Sequence, residues 1–367
     1  MRKPKSLVLT GWLAAAALIL LAGCREGDSE SCPPTAAPAT PTAAAQSYVW
    51  PGAEWEVSSP ETEGMDADRL EDVAAYCEAH NCRGVVIVRH GRIAWERYWG
   101  GWDEDSTDNS WSMAKSITSA LIGIAIAQGK IEGLDQSAAD YIQEWRGTDK
   151  EKITLRHLLS MTSGLSWSMT YDPPSGDTIN LLNSDDAVGY AVGRPLYREP
   201  GSDWYYSDGD VQLLARIIKV ATGMEAGQYA QQELFGPIGV EGATWRTDKL
   251  GQTWTWCCVL SSARDFARFG YLYLRDGRWG DRQIVPEEWV LESIQPSQWE
   301  NLHYGYYWWL LDLPDVPEDI FAAIGFQTKR IYVIPSLDIV AVRLGKGDDE
   351  WQDNDFLKPI VESAAGS

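Results

Sequence analysis

Ser112-Met113-Ala114-Lys115 opens a stretch in which Ile117, Ala120, Leu121, Ile124, Ala125 and Ile126 leave hardly any polar face before Gly129. Such a run reads as a helix buried on all sides. Residues three apart share one helix face, so the Lys115 ammonium lies beside the Ser112 hydroxyl while Met113 and Ala114 point elsewhere. A first helical turn also presents free N–H groups and partial positive charge, which favour negative charge developing at the serine. Composition alone would place about one S-x-x-K in a chain of this length, so the tetrapeptide is weak evidence by itself. Its position carries more weight, because lysine is almost never buried without a partner.

The chain has 367 residues, 44% of them hydrophobic, with 19 Trp and 16 Tyr, enough for a substantial core. A net charge of −22 repels phosphate backbones, which argues against nucleic acid as a partner. The four histidines (His80, His90, His157, His303) are scattered and no C-x-x-C or H-E-x-x-H run occurs, so neither a metal site nor a cofactor is expected.

Arg2, Lys3 and Lys5 precede an apolar run over residues 7–23 that ends in Leu21-Ala22-Gly23-Cys24. This resembles a bacterial lipoprotein signal peptide, which implies removal of residues 1–23, lipid on Cys24, and a membrane-anchored protein outside the cytoplasm. The other reading of the run is an uncleaved membrane helix, for which it is barely long enough. Residues 24–48 carry Pro33-Pro34, Pro38 and Pro41 among Ala, Thr and Ser, as expected of an extended tether. Residues 49–365 are then expected to fold as one domain. With Cys24 lipidated, five cysteines remain: Cys32 is the expected odd one, and Cys77 and Cys82 are placed to pair across a helix end. Adjacent Cys257 and Cys258 are expected to be small buried side chains, since neighbours reach disulfide geometry only with strain.

Residues 65–80 read as a helix, and 84–89 with 93–98 as a β-hairpin. The middle of the chain is mainly helical, with helix periods at 155–161 and 211–221. Strand patterns return at 304–312, 319–324, 330–334 and 337–344. Strands at both ends around a helical middle point to one α+β sheet assembled from both termini.

Several motifs now fall in one order: Ser112-Met113-Ala114-Lys115, His157-Leu158-Leu159-Ser160-Met161-Thr162-Ser163-Gly164-Leu165, Tyr206-Ser207-Asp208, residues 262–270, and Gly325-Phe326-Gln327 leading into a strand. Over residues 63–361 the chain resembles the serine β-lactamase and penicillin-binding-protein superfamily, and within it the class C-like esterases and 6-aminohexanoate-dimer hydrolases. The resemblance implies a β-lactamase/transpeptidase-like α+β fold: an antiparallel sheet flanked by helices, with a mainly helical subdomain inserted in the middle.

It also implies roles. Ser112 becomes the nucleophile, with Lys115 and Tyr206 managing its proton. A free tyrosine titrates near pH 10, but an adjacent ammonium favours the phenolate, so either Tyr206 or a neutral Lys115 is placed to act as base. Asp208 replaces the asparagine usual in the family; it either holds Lys115 charged or faces solvent. Gly325-Phe326-Gln327-Thr328 replaces the Lys-Thr-Gly of β-lactamases, with Lys329 out of register, which counts against recognition of a penicillin carboxylate. The backbone amides of Ser112 and Phe326 are the expected oxyanion donors. Tyr171, Trp111, Trp256, Trp308, Gln327 and Asp208 are the substrate-binding candidates, each with packing as its alternative. The expected function is hydrolysis of small esters or linear amides through an acyl-enzyme. A β-lactamase or D-Ala-D-Ala carboxypeptidase is the enzymatic alternative, and a catalytically silent binding module at the cell surface the non-enzymatic one.

Overall fold

A computed structural model describes residues 48–170, 176–298, 301 and 303–365. The signal-peptide segment and residues 24–47 of the tether, with Cys24 and Cys32, lie outside the described residues, as does Tyr171.

The frame is a six-stranded antiparallel sheet. Its strands are β1 (Cys82–Arg89), β2 (Arg92–Tyr98), β3 (Trp309–Leu310), β4 (Phe321–Gly325), β5 (Lys329–Ile334) and β6 (Ile339–Gly345), in the order β2-β1-β6-β5-β4-β3. The two ends of the chain meet where β1 pairs with β6, with Val86 opposite Val342 and Ile87 opposite Ala341. Strand β6 is buried at all seven positions, as a central strand covered on both faces must be.

Alternation assigns the faces. Val85, Ile87, Tyr332 and Ala341 pack beneath helices α1 (Ala67–Ala79) and α5 (Asp353–Ala365), against Leu70, Val73, Phe356 and Ile360. Val86, Val88, Ile331, Val333, Val340 and Val342 face the larger core, which holds helices α2 (Ala114–Ala127) and α4 (Ala263–Leu274). Helix α3 (Asp208–Thr222) crosses the middle of the chain. It is capped by the Ser207 hydroxyl, which accepts from the Asp210 amide, and it ends at Gly223 in the left-handed region. The helix expected over 211–221 thus begins earlier than its apolar period, because the Ser207 cap sets its first turn.

Two expectations need correction. The strand expected over 304–312 is broken: Tyr307 has a φ of +67°, so the chain turns there and only Trp309–Leu310 joins the sheet. Cys77 and Cys82 are buried free thiols rather than a bridge. Burial pushes the Cys77 thiol up in pKa, while Cys82 accepts a hydrogen bond from Arg343 Nε at 3.2 Å.

Gly270 lets α4 lie directly on the sheet, since a Cβ there would stand 2.6 Å from Val340 Cγ1 and 2.8 Å from Ile331 Cγ2. Neither neighbour can retreat from the close-packed core. Gly270→Ala is expected to lower the unfolding free energy by about 1–3 kcal/mol, read as a lower urea midpoint at unchanged slope. An unchanged midpoint would show that the helix is free to lift from the sheet.

Candidate active site

Three separate stretches of chain build the site. The first is the turn that feeds α2. Ser110 N–H donates to the Val259 carbonyl at 2.7 Å, and the Val259 N–H donates back to Ser110 Oγ at 3.0 Å. Trp111 N–H donates to Asn109 Oδ1 at 3.1 Å, and Trp111 has a φ of +47°, an outlier for so bulky a residue. Residues 111–113 form one 3₁₀ turn, after which α2 begins and residues 114–125 are all buried. Ser112 is half-buried at this junction, whereas Lys115 is 1% exposed. The predicted three-residue spacing is realised across the change of helix type, with Lys115 Nζ 3.0 Å from Ser112 Oγ.

The second stretch enters α3. Asp208 is 1% exposed and its Oδ1 lies 2.7 Å from Lys115 Nζ. Its Oδ2 accepts from Thr178 Oγ1 at 2.7 Å. Of the two orientations left open by the sequence, the carboxylate takes the inward one. Tyr206 faces Lys115, whose ammonium stands 5.0 Å from the phenol ring centroid. The ring is stacked on Trp309, with centroids 6.1 Å apart, and meets Tyr304 edge-on. Lys115 donates further to the Trp256 carbonyl at 2.9 Å. Burial works against the lysine charge, but the Asp208 carboxylate and then Tyr206 outweigh it and hold the Lys115 pKa above the ordinary lysine value.

Behind this segment, Ser163 and Ser207 both donate hydroxyl hydrogen bonds to Asp210, at 2.8 and 3.0 Å. Burial raises the Asp210 pKa to about 7. The motif around Ser163 thus anchors the turn that presents Tyr206 and Asp208.

The third stretch is the end of β4. A Cβ on Gly325 would press into the Ser110 carbonyl oxygen and stand 3.3 Å from Met113 Cγ, so only glycine lets the strand lie against the turn that carries Ser112. Phe326 follows, 56% exposed, with its ring edge-on to Trp111 at 5.6 Å. Gln327 and Thr328 both have positive φ, and Gln327 Oε1 accepts weakly from Lys329 Nζ at 3.4 Å. Lys329 turns away from Ser112 to pair with Asp108 at 2.9 Å and the Gly345 carbonyl at 2.7 Å. Burial lowers its pKa despite that pairing.

Two substrate-contact candidates are corrected. Trp308 is fully buried among Phe269, Tyr273 and Phe321, so it belongs to the core. Trp256 is buried too, and it meets the site through its carbonyl and through its ring, whose centroid is 5.7 Å from Lys115 Nζ. Trp111 and Gln327 are half-buried. Cys257 and Cys258 are joined in a disulfide, against expectation. The left-handed conformation of Cys258 (φ +75°), the Cys257 N–H bonded to the Trp254 carbonyl and Trp245 Nε1 bonded to the Cys257 carbonyl fold the loop so that adjacent sulfurs meet. Thr178 and Asn109 were not foreseen, because no motif marks them. Among the described residues no group of three or more His, Cys, Asp or Glu side chains is placed to hold a metal ion.

Comparison with known proteins finds relatives in sequence and in fold. The chain is 22% identical over 312 residues to the 6-aminohexanoate-dimer hydrolase of Paenarthrobacter ureafaciens, covering 79% of this chain and 78% of that one. Among solved structures, a putative 6-aminohexanoate-dimer hydrolase from Bacillus anthracis superposes with a TM-score of 0.68 at 22% identity, covering 80% of each chain. EstCE1, a hydrolase with promiscuous acyltransferase activity, gives a TM-score of 0.68 at 16% identity, covering 84% of this chain and 99% of its own. The family model described as beta-lactamase matches residues 63–365, and the chain therefore belongs to the beta-lactamase family of serine hydrolases.

Proposed function

We propose that the protein hydrolyses small esters or linear amides through an acyl-enzyme on Ser112, with Tyr206 as the base and Lys115 as a permanent cation. The observation that carries this reading is the buried ion pair between Lys115 Nζ and Asp208 Oδ1 at 2.7 Å. A lysine held as an ammonium has no lone pair to accept the serine proton. It does stabilise a neighbouring phenolate, which can accept that proton.

The steps then balance on the residues present. Ser112 Oγ attacks the carbonyl carbon while its proton passes to the Tyr206 phenolate. The oxyanion that forms is received by the Ser112 and Phe326 N–H groups, each such donor being worth about 2.7–4 kcal/mol in related chemistry. The C–O or C–N bond breaks and Tyr206 returns the proton to the leaving alcohol or amine. Water, deprotonated by the same phenolate, then attacks the Ser112 ester, and Tyr206 returns that proton to Ser112 Oγ as the acid leaves.

The two lysines nearest Ser112 in the family's motifs are both paired with carboxylates of the chain itself. Lys115 is committed to Asp208 and Lys329 to Asp108, so neither of these lysines is left to pair with a penicillin or peptide carboxylate. Phe326 and Trp111 instead offer aromatic edges beside Ser112, suited to an apolar acyl or alcohol group. The relatives named 6-aminohexanoate-dimer hydrolase support linear amides as one branch of this class. We propose further that residues 1–23 are a cleaved lipoprotein signal and that lipid on Cys24 holds the enzyme at a membrane outside the cytoplasm. Palmitate labelling lost in Cys24→Ala checks that placement.

A fluorophosphonate probe is expected to add one label to the folded protein, at Ser112, and Ser112→Ala to abolish it. p-Nitrophenyl esters should turn over while a fluorescent penicillin leaves no stable label and is not consumed. A stable penicillin adduct would support the carboxypeptidase alternative, rapid penicillin turnover the β-lactamase alternative, and a folded but unlabelled wild type the binding module.

The pH dependence tests the base. Because Asp208 raises the Lys115 pKa, the ammonium persists to higher pH, and activity that needs it falls only as pH rises through that raised value. Asp208→Asn restores the residue usual in the family and leaves an acceptor for Lys115, so the variant should fold. Its alkaline limb of kcat/KM is expected at lower pH than that of the wild type. An unmoved limb would contradict a charged Lys115 as the active form.

A further inference from the structure

Trp256, Cys257 and Cys258 form a buried loop that bonds Lys115 and lies against the turn leading to Ser112. On the amino side of the disulfide, the Trp256 carbonyl accepts from Lys115 Nζ at 2.9 Å. On its carboxyl side, Val259 exchanges two hydrogen bonds with Ser110, the residue two before the nucleophile. Asn109 links the two directly: its Nδ2 points at Cys258 Sγ at 3.9 Å, and its Oδ1 accepts the Trp111 N–H at 3.1 Å. The loop and the turn it meets each carry a backbone conformation that side chains rarely adopt, Cys258 at φ +75° and Trp111 at φ +47°. Residues in such conformations persist only where their surroundings over-determine them.

We propose that the Cys257–Cys258 disulfide is a positioning element for catalysis. Closed, it fixes the Trp256 carbonyl on the lysine and the Val259–Ser110 contact under the nucleophile; opened, it lets both relax and turnover falls. The inference rests on the reading of Ser112 as acyl acceptor. Opening needs a dithiol: its thiolate attacks one sulfur to give a mixed disulfide, and its second thiol closes on itself. Two electrons and two protons pass to the protein, leaving Cys257 and Cys258 as thiols.

The test uses the full chain, purified without reductant. Trypsin releases residues 250–264, which contain both cysteines. In untreated protein this peptide should resist alkylation and weigh two hydrogens less than its reduced form. The double variant Cys257→Ser with Cys258→Ser is expected to lose about ten- to a hundredfold in kcat on a p-nitrophenyl ester, the scale of a small misplacement of reacting groups. KM should stay nearly constant, and the alkaline limb should move to lower pH because Lys115 has lost an aligned acceptor. A merely structural role would lower thermal stability without moving that limb. Should the double variant fail to fold, wild type treated with dithiothreitol, its opening verified in the same peptide, supplies the comparison, and reoxidation should restore the rate. Unchanged kcat and pH profile in a verified open form, or two alkylatable thiols in the untreated peptide, would overturn the proposal. A wild type that takes no fluorophosphonate label would instead overturn the underlying assignment of Ser112.

Discussion

Lys115 and Asp208 form a salt bridge almost without solvent, and the rest of the site is arranged around its cost. Taking two charges out of water carries a penalty of several kcal/mol per ion, which their attraction offsets only when the remaining donors and acceptors are also met. Here three hydrogen bonds contribute. Lys115 donates to Ser112 Oγ and the Trp256 carbonyl and faces the Tyr206 ring, while Asp208 accepts from Thr178. Each of those partners comes from a different part of the chain, so the buried pair dictates where four segments must converge.

The fold supplies that convergence with rigid parts. Helix α2 is buried on all sides, which leaves Lys115 no route to solvent and fixes Ser112 one turn ahead of it. Gly325 lets β4 approach the nucleophile's turn closely enough for the Phe326 amide to follow it. The hydroxyls of Ser163 and Ser207 anchor Asp210, two residues beyond Asp208 on the same helix. Positive φ at Trp111, Cys258, Gln327 and Thr328 places unusual backbone around the reacting hydroxyl, where local strain tends to be stored.

What could be read from the sequence follows from how local each signal is. The spacing of Ser112 and Lys115, the apolar runs of β1, β5 and β6, and the motif order were all legible, because composition and short spacings survive without tertiary context. The direction of Asp208 was not, since a carboxylate at the start of a helix is equally at home in water or on a cation. Trp308 illustrates the opposite failure: an aromatic next to site residues in sequence points into the core because Tyr307 turns the chain. The disulfide between adjacent cysteines was misjudged because the left-handed backbone of Cys258 carries no sequence mark other than the residue itself. Thr178 was invisible for a related reason, its role being set entirely by contact with a residue 30 positions away.

The charge on Lys115 is the claim from which the assignment of the base, the substrate preference and the role of Asp208 all descend. It is measured most directly by following the lysine side-chain carbon resonances of isotope-labelled protein through a pH titration, with Lys115→Arg to assign the signal. The Lys115 resonance is expected to keep its ammonium shift beyond the range near pH 10.4 where ordinary lysines titrate. A Lys115 that loses its proton well below that range would contradict the permanent charge and return the serine proton to the amine.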